Sequence, residues 1–246
     1  MDILKTVELL GTKFISSPME AFVQELNRRL ISGQQTFVVT ANPEIMMYTY
    51  KDPNYAQVLK HADYIIPDGI GVVMASKILK KPIESRLPGF DLMMHLLELA
   101  TEKNYSVYFL GAKEEVIVKA VKQAAIQFPK LKIAGYHHGY IDFNDTSIIE
   151  EIRSKSPDIV LVGLGFPQQE MWIQNNRHVM EKGVFMGVGG SFDVLAGLVK
   201  RAPEIWQKLN LEWLYRLIKQ PSRWRRMTVL PLYLLKAIKA RLKREN

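Results

Sequence analysis

An aspartate set between an apolar run and two glycines, in Tyr64-Ile65-Ile66-Pro67-Asp68-Gly69-Ile70-Gly71, is the clearest candidate for acid–base chemistry in this chain. Apolar residues that stop at Pro-Asp-Gly read as a buried strand running out into a turn, and open α/β sheets bind ligands beyond the carboxyl ends of their strands. A carboxylate there can take a proton from a hydroxyl. The same Asp-Gly pair is also ordinary turn chemistry, with the side chain bonding its own backbone while glycine supplies positive φ. The motif alone leaves both readings standing.

Other polar groups fall at similar places. Thr36-Phe37-Val38-Val39-Thr40 leads into Ala41-Asn42-Pro43-Glu44, where Asn before Pro and an acid marks a helix start. Asn42 caps that helix, and Thr40 and Asn42 also stand where a strand end presents polar groups to a crevice. Arg86, in Glu84-Ser85-Arg86-Leu87-Pro88-Gly89, sits in a loop from which a planar fork of donors can reach a diphosphate or simply be solvated. Gly163-Leu164-Gly165-Phe166-Pro167-Gln168-Gln169-Glu170 is a glycine turn entering a helix, with Pro167 suited to the first helical position. Gln168 and Gln169 there can both donate and accept, as reading sugar hydroxyls or a phosphate requires. Gly189-Gly190 allows close approach to the backbone, and Asp193 can accept from a nucleoside; a plain tight turn explains the same residues. Adjacent His137 and His138 lack the carboxylates or the i, i+4 spacing of a metal site, and His95 reads as a core-edge residue.

The elements that must position these groups follow from hydrophobic period. Strands ending at Thr40, Pro67, Leu110, Tyr136, Leu164 and Val188 alternate with helices such as Met19 to Leu30, Glu114 to Gln127 and Thr146 to Lys155. Strand–helix alternation of this length means βαβ units, so the fold class is α/β, a Rossmann-like, mainly parallel sheet flanked by helices. Thr6 to Ile15 reads as an N-terminal hairpin. Residues 1–199 form the catalytic domain on this reading, and 200–246 a basic, amphipathic helical appendage. In that appendage Ile205, Trp206, Leu209, Trp213 and Leu217 recur at helical spacing up to Pro221, and Val229 to Arg244 follows with Leu230, Leu234, Ile238 and Leu242 on one side.

Composition narrows the chemistry further. The absence of cysteine excludes disulfides and thiolate metal sites. Gly69-Ile70-Gly71 and Gly163-Leu164-Gly165 have Met74 and Gln168 where a dinucleotide fingerprint needs its third glycine, and no Gly-Lys-Ser/Thr P-loop occurs. Of the net charge of +8, the segment from Lys200 onward holds 13 basic against 3 acidic residues, leaving 20 against 22 before it. Such a basic, tryptophan-bearing end suits an anionic partner, a phospholipid surface or nucleic acid, and aromatics among the basic residues favour the membrane. No signal sequence and no membrane span is read, which places the protein in the cytoplasm, peripheral to the inner face of the membrane.

Taken in order, Thr40-Ala41-Asn42-Pro43-Glu44, Pro67-Asp68-Gly69-Ile70-Gly71, Arg86-Leu87-Pro88-Gly89, Phe109-Leu110-Gly111, Gly139-Tyr140, Gly163 to Glu170 and Gly187-Val188-Gly189-Gly190 resemble the WecG/TagA/CpsF glycosyltransferases, most of all the TagA branch. The resemblance runs from about residue 6 to about 200, and its specificity lies in the set of motifs. It implies inverting transfer of N-acetylmannosamine from UDP-N-acetylmannosamine to the 4-hydroxyl of N-acetylglucosamine on undecaprenyl diphosphate, in wall teichoic acid linkage-unit synthesis. By the resemblance Asp68 is the general base. Arg86, with Arg216, Arg223 and Arg226 of the tail, stabilises the departing diphosphate or grips the lipid diphosphate. Thr40, Asn42, Gly165, Gln168, Gln169 and Asp193 become substrate ligands, and Gly111 and Gly189-Gly190 suit the nucleotide. With no Asp-x-Asp pair to hold a metal–nucleotide complex, transfer is expected to need no metal or other cofactor. The alternatives are another UDP-sugar, a different surface-polysaccharide pathway, or a nucleic-acid-binding α/β protein. Apolar surface on tail or body would support homo-oligomers.

Overall fold

The computed structural model describes residues 4–143, 146–219, 221, 224 and 228–245. Strands β1 (Thr6–Leu9) and β2 (Thr12–Ile15) form an antiparallel hairpin whose two turn residues, Leu10 and Gly11, both have positive φ, the geometry that matches strand twist. Helix α1 (Met19–Ile31) leads to β3 (Thr36–Ala41), α2 (Pro43–Tyr48), α3 (Pro53–Lys60), β4 (Tyr64–Pro67), α4 (Ile70–Ile78) and α5 (Gly89–Lys103). Then come β5 (Ser106–Gly111), α6 (Glu114–Gln127), β6 (Lys132–His137), α7 (Ser147–Lys155), β7 (Ile159–Gly163), α8 (Gln168–Asn176), β8 (Val184–Gly187) and α9 (Ser191–Leu195). The last elements are α10 (Glu204–Lys208), α11 (Glu212–Lys219) and α12 (Val229–Glu245).

Six strands form one sheet in the order β4-β3-β8-β7-β5-β6, every pair parallel. This is the expected Rossmann-like α/β architecture. Side chains alternate between two buried cores: Phe37, Val39, Val160 and Val162 enter one, while Val38, Ile159 and Leu161 enter the other. Helices cover both faces, so β3, β7 and β8 are buried along their whole length and β5 everywhere but at Ser106. After β5 the chain crosses to β6 on one side, and after β7 to β8 on the other. Such a divergence opens a crevice at the carboxyl edge.

The tail differs from the sequence pattern in two respects. The stripe from Ile205 to Ile218 is not one helix, because Asn210 adopts φ 59° and separates α10 from α11. Asn tolerates the left-handed region better than other non-glycine residues. Trp206 and Tyr215 then meet with ring centroids 5.7 Å apart. In α12, Tyr233 and Ala237 are fully buried in the main core against α2 and α4, with Leu234 partly buried, while Ile238 and Leu242 are exposed. The buried face is therefore rotated from the leucine–isoleucine stripe: Tyr233 and Ala237, with Leu230 against Gly71, face the main body, and Ile238 and Leu242 turn outward.

Candidate active site

Four strand ends converge on one cleft of about 360 Å³, lined by Thr40, Asn42, Asp68, Arg86, Gly165, Gln169, Gly189 and Gly190, among others. Each is held there by local chemistry. The Asn42 side chain accepts from the backbone N–H of Glu44 (2.9 Å) and Ile45 (3.1 Å), so the sequence's start signal is realised. Thr40 Oγ1 donates to the Gly187 carbonyl (3.1 Å), tying the ends of β3 and β8 together. Asp68 follows β4 directly; its own N–H donates to the Ala41 carbonyl (3.0 Å), and its Oδ1 accepts from Gly89 N–H (2.6 Å). Leu87 N–H reaches back to the Pro67 carbonyl (3.0 Å), which brings the Arg86 loop alongside Asp68.

The electrostatics of the cleft draw in residues from the far end of the chain. Arg201 grips both carboxylate oxygens of Asp91, with Nη2 2.9 Å from Oδ2, and lies over the Phe90 ring at 5.2 Å. Burial works against its charge, but hydrogen bonding and attraction from Asp91, with the fields of Glu212 and Asp68, hold it above the ordinary arginine value. Glu212 stands between the two cleft arginines, 3.6 Å from Arg86 Nη2 and 4.0 Å from Arg201 Nε. Trp213 and Leu230 complete the wall from α11 and α12. A Cβ on Gly71 would collide with Leu230 and Pro43, so that glycine lets α12 close over α4 beside the cleft.

Beneath this surface Gln169 is locked in place. Its Oε1 accepts from Gly189 N–H (2.9 Å) and its Nε2 donates to Glu170 Oε1 (2.6 Å). Glu170 is fully buried, and burial pushes its carboxyl up to about 7 against the opposing hydrogen bond from Gln169 and the nearby polar groups of its own backbone and Tyr55.

The expected site residues thus separate. Thr40, Asn42, Asp68, Arg86, Gly165, Gln169, Gly189 and Gly190 line one cleft. Gly111, Gln168 and Asp193 lie outside its lining: a Cβ on Gly111 would run into the Gly163 backbone, which is a packing reason for that glycine. Helix α8 begins at Gln168, with Pro167 as its cap and not as its first residue. Arg223 and Arg226, and the side chain of Arg216, lie outside the described residues. Sequence reasoning missed Arg201, Glu212, Trp213 and Glu170. Arg201 carried only a compositional signal, the onset of the basic tail. Among the described residues no group of three or more His, Asp and Glu has the arrangement of a metal site.

The chemistry on hand is a carboxylate at a strand end, two arginines on its flank, and glycine turns with helix starts around an opening wide enough for a sugar. This suits proton removal from a hydroxyl with cationic compensation for an anionic leaving group. Comparison with known proteins adds the lineage. The model of the glycosyl transferase WecG/TagA/CpsF family matches residues 7–246. The chain is 43% identical over 237 residues to an N-acetylglucosaminyldiphosphoundecaprenol N-acetyl-beta-D-mannosaminyltransferase of Bacillus spizizenii, covering 96% of this chain and 92% of that one. Proteins of the same name from Bacillus subtilis (40% over 237 residues, 96% and 92% covered) and Staphylococcus aureus (40% over 240 residues, 96% and 94% covered) are similar to it as well. With a match over nearly its whole length, the chain belongs to the WecG/TagA/CpsF family of glycosyltransferases.

Proposed function

We propose that this protein is an inverting glycosyltransferase that moves N-acetylmannosamine from UDP-N-acetylmannosamine to the 4-hydroxyl of N-acetylglucosamine on undecaprenyl diphosphate, in linkage-unit synthesis for wall teichoic acid. The observation that carries the reading is Asp68, held by Gly89 N–H at the end of β4 in a cleft that also contains Arg86 and Arg201. Relatives bearing the name of this reaction, similar over almost the whole chain, support the choice of donor and acceptor.

In this mechanism Asp68 removes the proton of the acceptor 4-hydroxyl as its oxygen attacks the anomeric carbon from the face opposite the nucleotide. The bond from that carbon to the diphosphate breaks, and UDP leaves with the electron pair. Arg86 and Arg201 supply positive charge to the departing diphosphate, with helix starts at α2 and α8 lending N–H dipoles. Thr40, Asn42, Gln169 and the turns at Gly165 and Gly189-Gly190 hold the sugar and nucleotide. Gln168 and Asp193, beside the cleft lining, serve the edge of the donor site, and Gly111 serves it through close packing of its turn on Gly163. Arg216, Arg223 and Arg226 are the tail's candidates for the lipid diphosphate. No metal is needed for these steps.

A lipid-borne acceptor must be met at the bilayer. No helix of the described residues is long and apolar enough to cross a membrane, so the contact is peripheral in this reading. Residues 200–246 offer Ile205, Leu209, Ile218, Leu232, Leu235 and Leu242, all exposed, among lysines and arginines. That composition suits an interface with anionic lipid at the cytoplasmic face, and the same apolar surface suits self-association when no bilayer is present. Binding to anionic vesicles in preference to DNA is the expected behaviour.

The test of the reaction is UDP release from UDP-N-acetylmannosamine in the presence of a short-chain N-acetylglucosaminyl diphospholipid. Acceptor-dependent turnover that falls by about 10² or more in Asp68→Ala and Asp68→Asn, with folding intact, is the expected result. Unchanged turnover in both variants would remove Asp68 from the chemistry. Native protein inert with this donor but active with another UDP-sugar would move it to a different polysaccharide.

A further inference from the structure

The fully buried carboxyl of Glu170 has no part in the transfer described above, yet it receives the inward N–H of Gln169. Its other oxygen, Oε2, and the Tyr55 hydroxyl on α3 lie close enough to interact, but neither has a hydrogen bond of ordinary geometry. Tyr55 is itself sealed by Tyr48 and Phe166, whose rings meet it edge to face at 5.2 and 5.3 Å, and Phe166 lines the cleft. On the remaining side a Cβ added to Gly187 would come within 2.6 Å of Gln169 Nε2 and 3.3 Å of Glu170 Oε1, so the β8 backbone presses directly on the pair. Tyr55 and, behind it, Tyr48 are the titratable groups facing this carboxyl.

An amide has one donor end and one acceptor end. Which end faces which way is set by its partners. With Glu170 accepting from Nε2, Gln169 must turn its oxygen toward Gly189 N–H. That bond fixes the first residue of the Gly189-Gly190 turn, which has φ 53° and open space where a side chain would stand.

We propose that Glu170 is a positioning residue: from beneath the cleft it sets the orientation of the Gln169 amide and, through it, the Gly189-Gly190 turn against which the nucleotide-sugar donor binds. Removing the acceptor leaves Gln169 free to reverse, and a reversed amide would put its NH2 against the Gly189 N–H, donor against donor. Glu170→Gln keeps an oxygen at the same place and can offer its own NH2 to the Tyr55 oxygen. Glu170→Met keeps the volume and loses the acceptor.

Two measurements on the full-length protein test this. Hydrogen exchange should show Gly189 N–H protected in native protein and in Glu170→Gln, but about tenfold less protected in Glu170→Met, while Val39 in β3 stays protected in all three. Affinity for UDP, and KM for the donor, should weaken by about tenfold in Glu170→Met with kcat changed less, and return to native values in Glu170→Gln. Native protection and affinity in Glu170→Met would overturn the proposal, as would Glu170→Gln failing as badly as Glu170→Met. The use of UDP rests on the proposed function. If native protein binds no UDP, that function is at fault, and exchange at Gly189 alone still decides the role of Glu170.

Discussion

Replacing Glu170 by Gln should stabilise the protein at alkaline pH and leave it unchanged in acid. A carboxyl that titrates at 4.5 when free to meet water and at about 7 in the fold binds its proton more tightly when folded. Its contribution is therefore fully present below about pH 4.5, declines as pH rises, and is lost once pH passes about 7. At roughly 1.4 kcal/mol per pH interval, that difference corresponds to about 3 kcal/mol by pH 8. Glutamine has nearly the shape of the protonated acid and never ionises, so the Gln variant escapes this loss. For a chain of this size the gap corresponds to roughly 6–12 °C in Tm. The measurement is urea or thermal unfolding of both proteins from pH 4.5 to pH 8.5, read as the difference between the two curves. Taking the difference cancels the carboxylates that behave oppositely, such as Glu25 and Glu151, which hydrogen bonds from Arg28 and Lys155 hold below the usual range and which therefore lose stability in acid. Parallel curves across the whole range would refute the reasoning, since they would mean that Glu170 ionises in the fold as readily as in water.

Gly71→Ala should destabilise by about 1–3 kcal/mol, although Ala is the better helix former, because its Cβ would collide with Leu230 and Pro43; adding Leu230→Ala should recover part of the loss. A rise in stability with Gly71→Ala alone would show that α12 does not close over α4 as described. Arg201→Lys keeps a charge but cannot grip both oxygens of Asp91, and is expected to lower kcat/KM by about tenfold or more; native turnover with reduced stability would make Arg201 purely structural. Activity in excess EDTA should equal that with Mg²⁺, and abolition by EDTA with recovery on adding Mg²⁺ would bring a metal ion into the mechanism.

What the sequence determined is whatever is written in short-range chemistry. Asn42-Pro43 specifies a helix start through a side chain two residues from the N–H it accepts, and Asp52-Pro53 does the same for α3. Fully apolar runs such as Ile159–Gly163 specify strands buried on both faces. Parallel strands then place every such turn at one edge of the sheet, which is why Thr40, Asp68, Gly165 and Gly189 are legible as neighbours in the sequence. The tertiary structure decided what depends on distant partners. Arg201 enters the cleft because Asp91, 110 residues earlier, holds it there, and no local pattern distinguishes it from the other arginines of the tail. Glu170 follows Gln169 on a helix that reads as polar, and becomes buried only because α8 packs between Tyr55 and the backbone of β8. In α12, apolar residues occur almost all round, so period alone could not select Tyr233 and Ala237 as the inward face; the space left by Gly71 on α4 helps to select it.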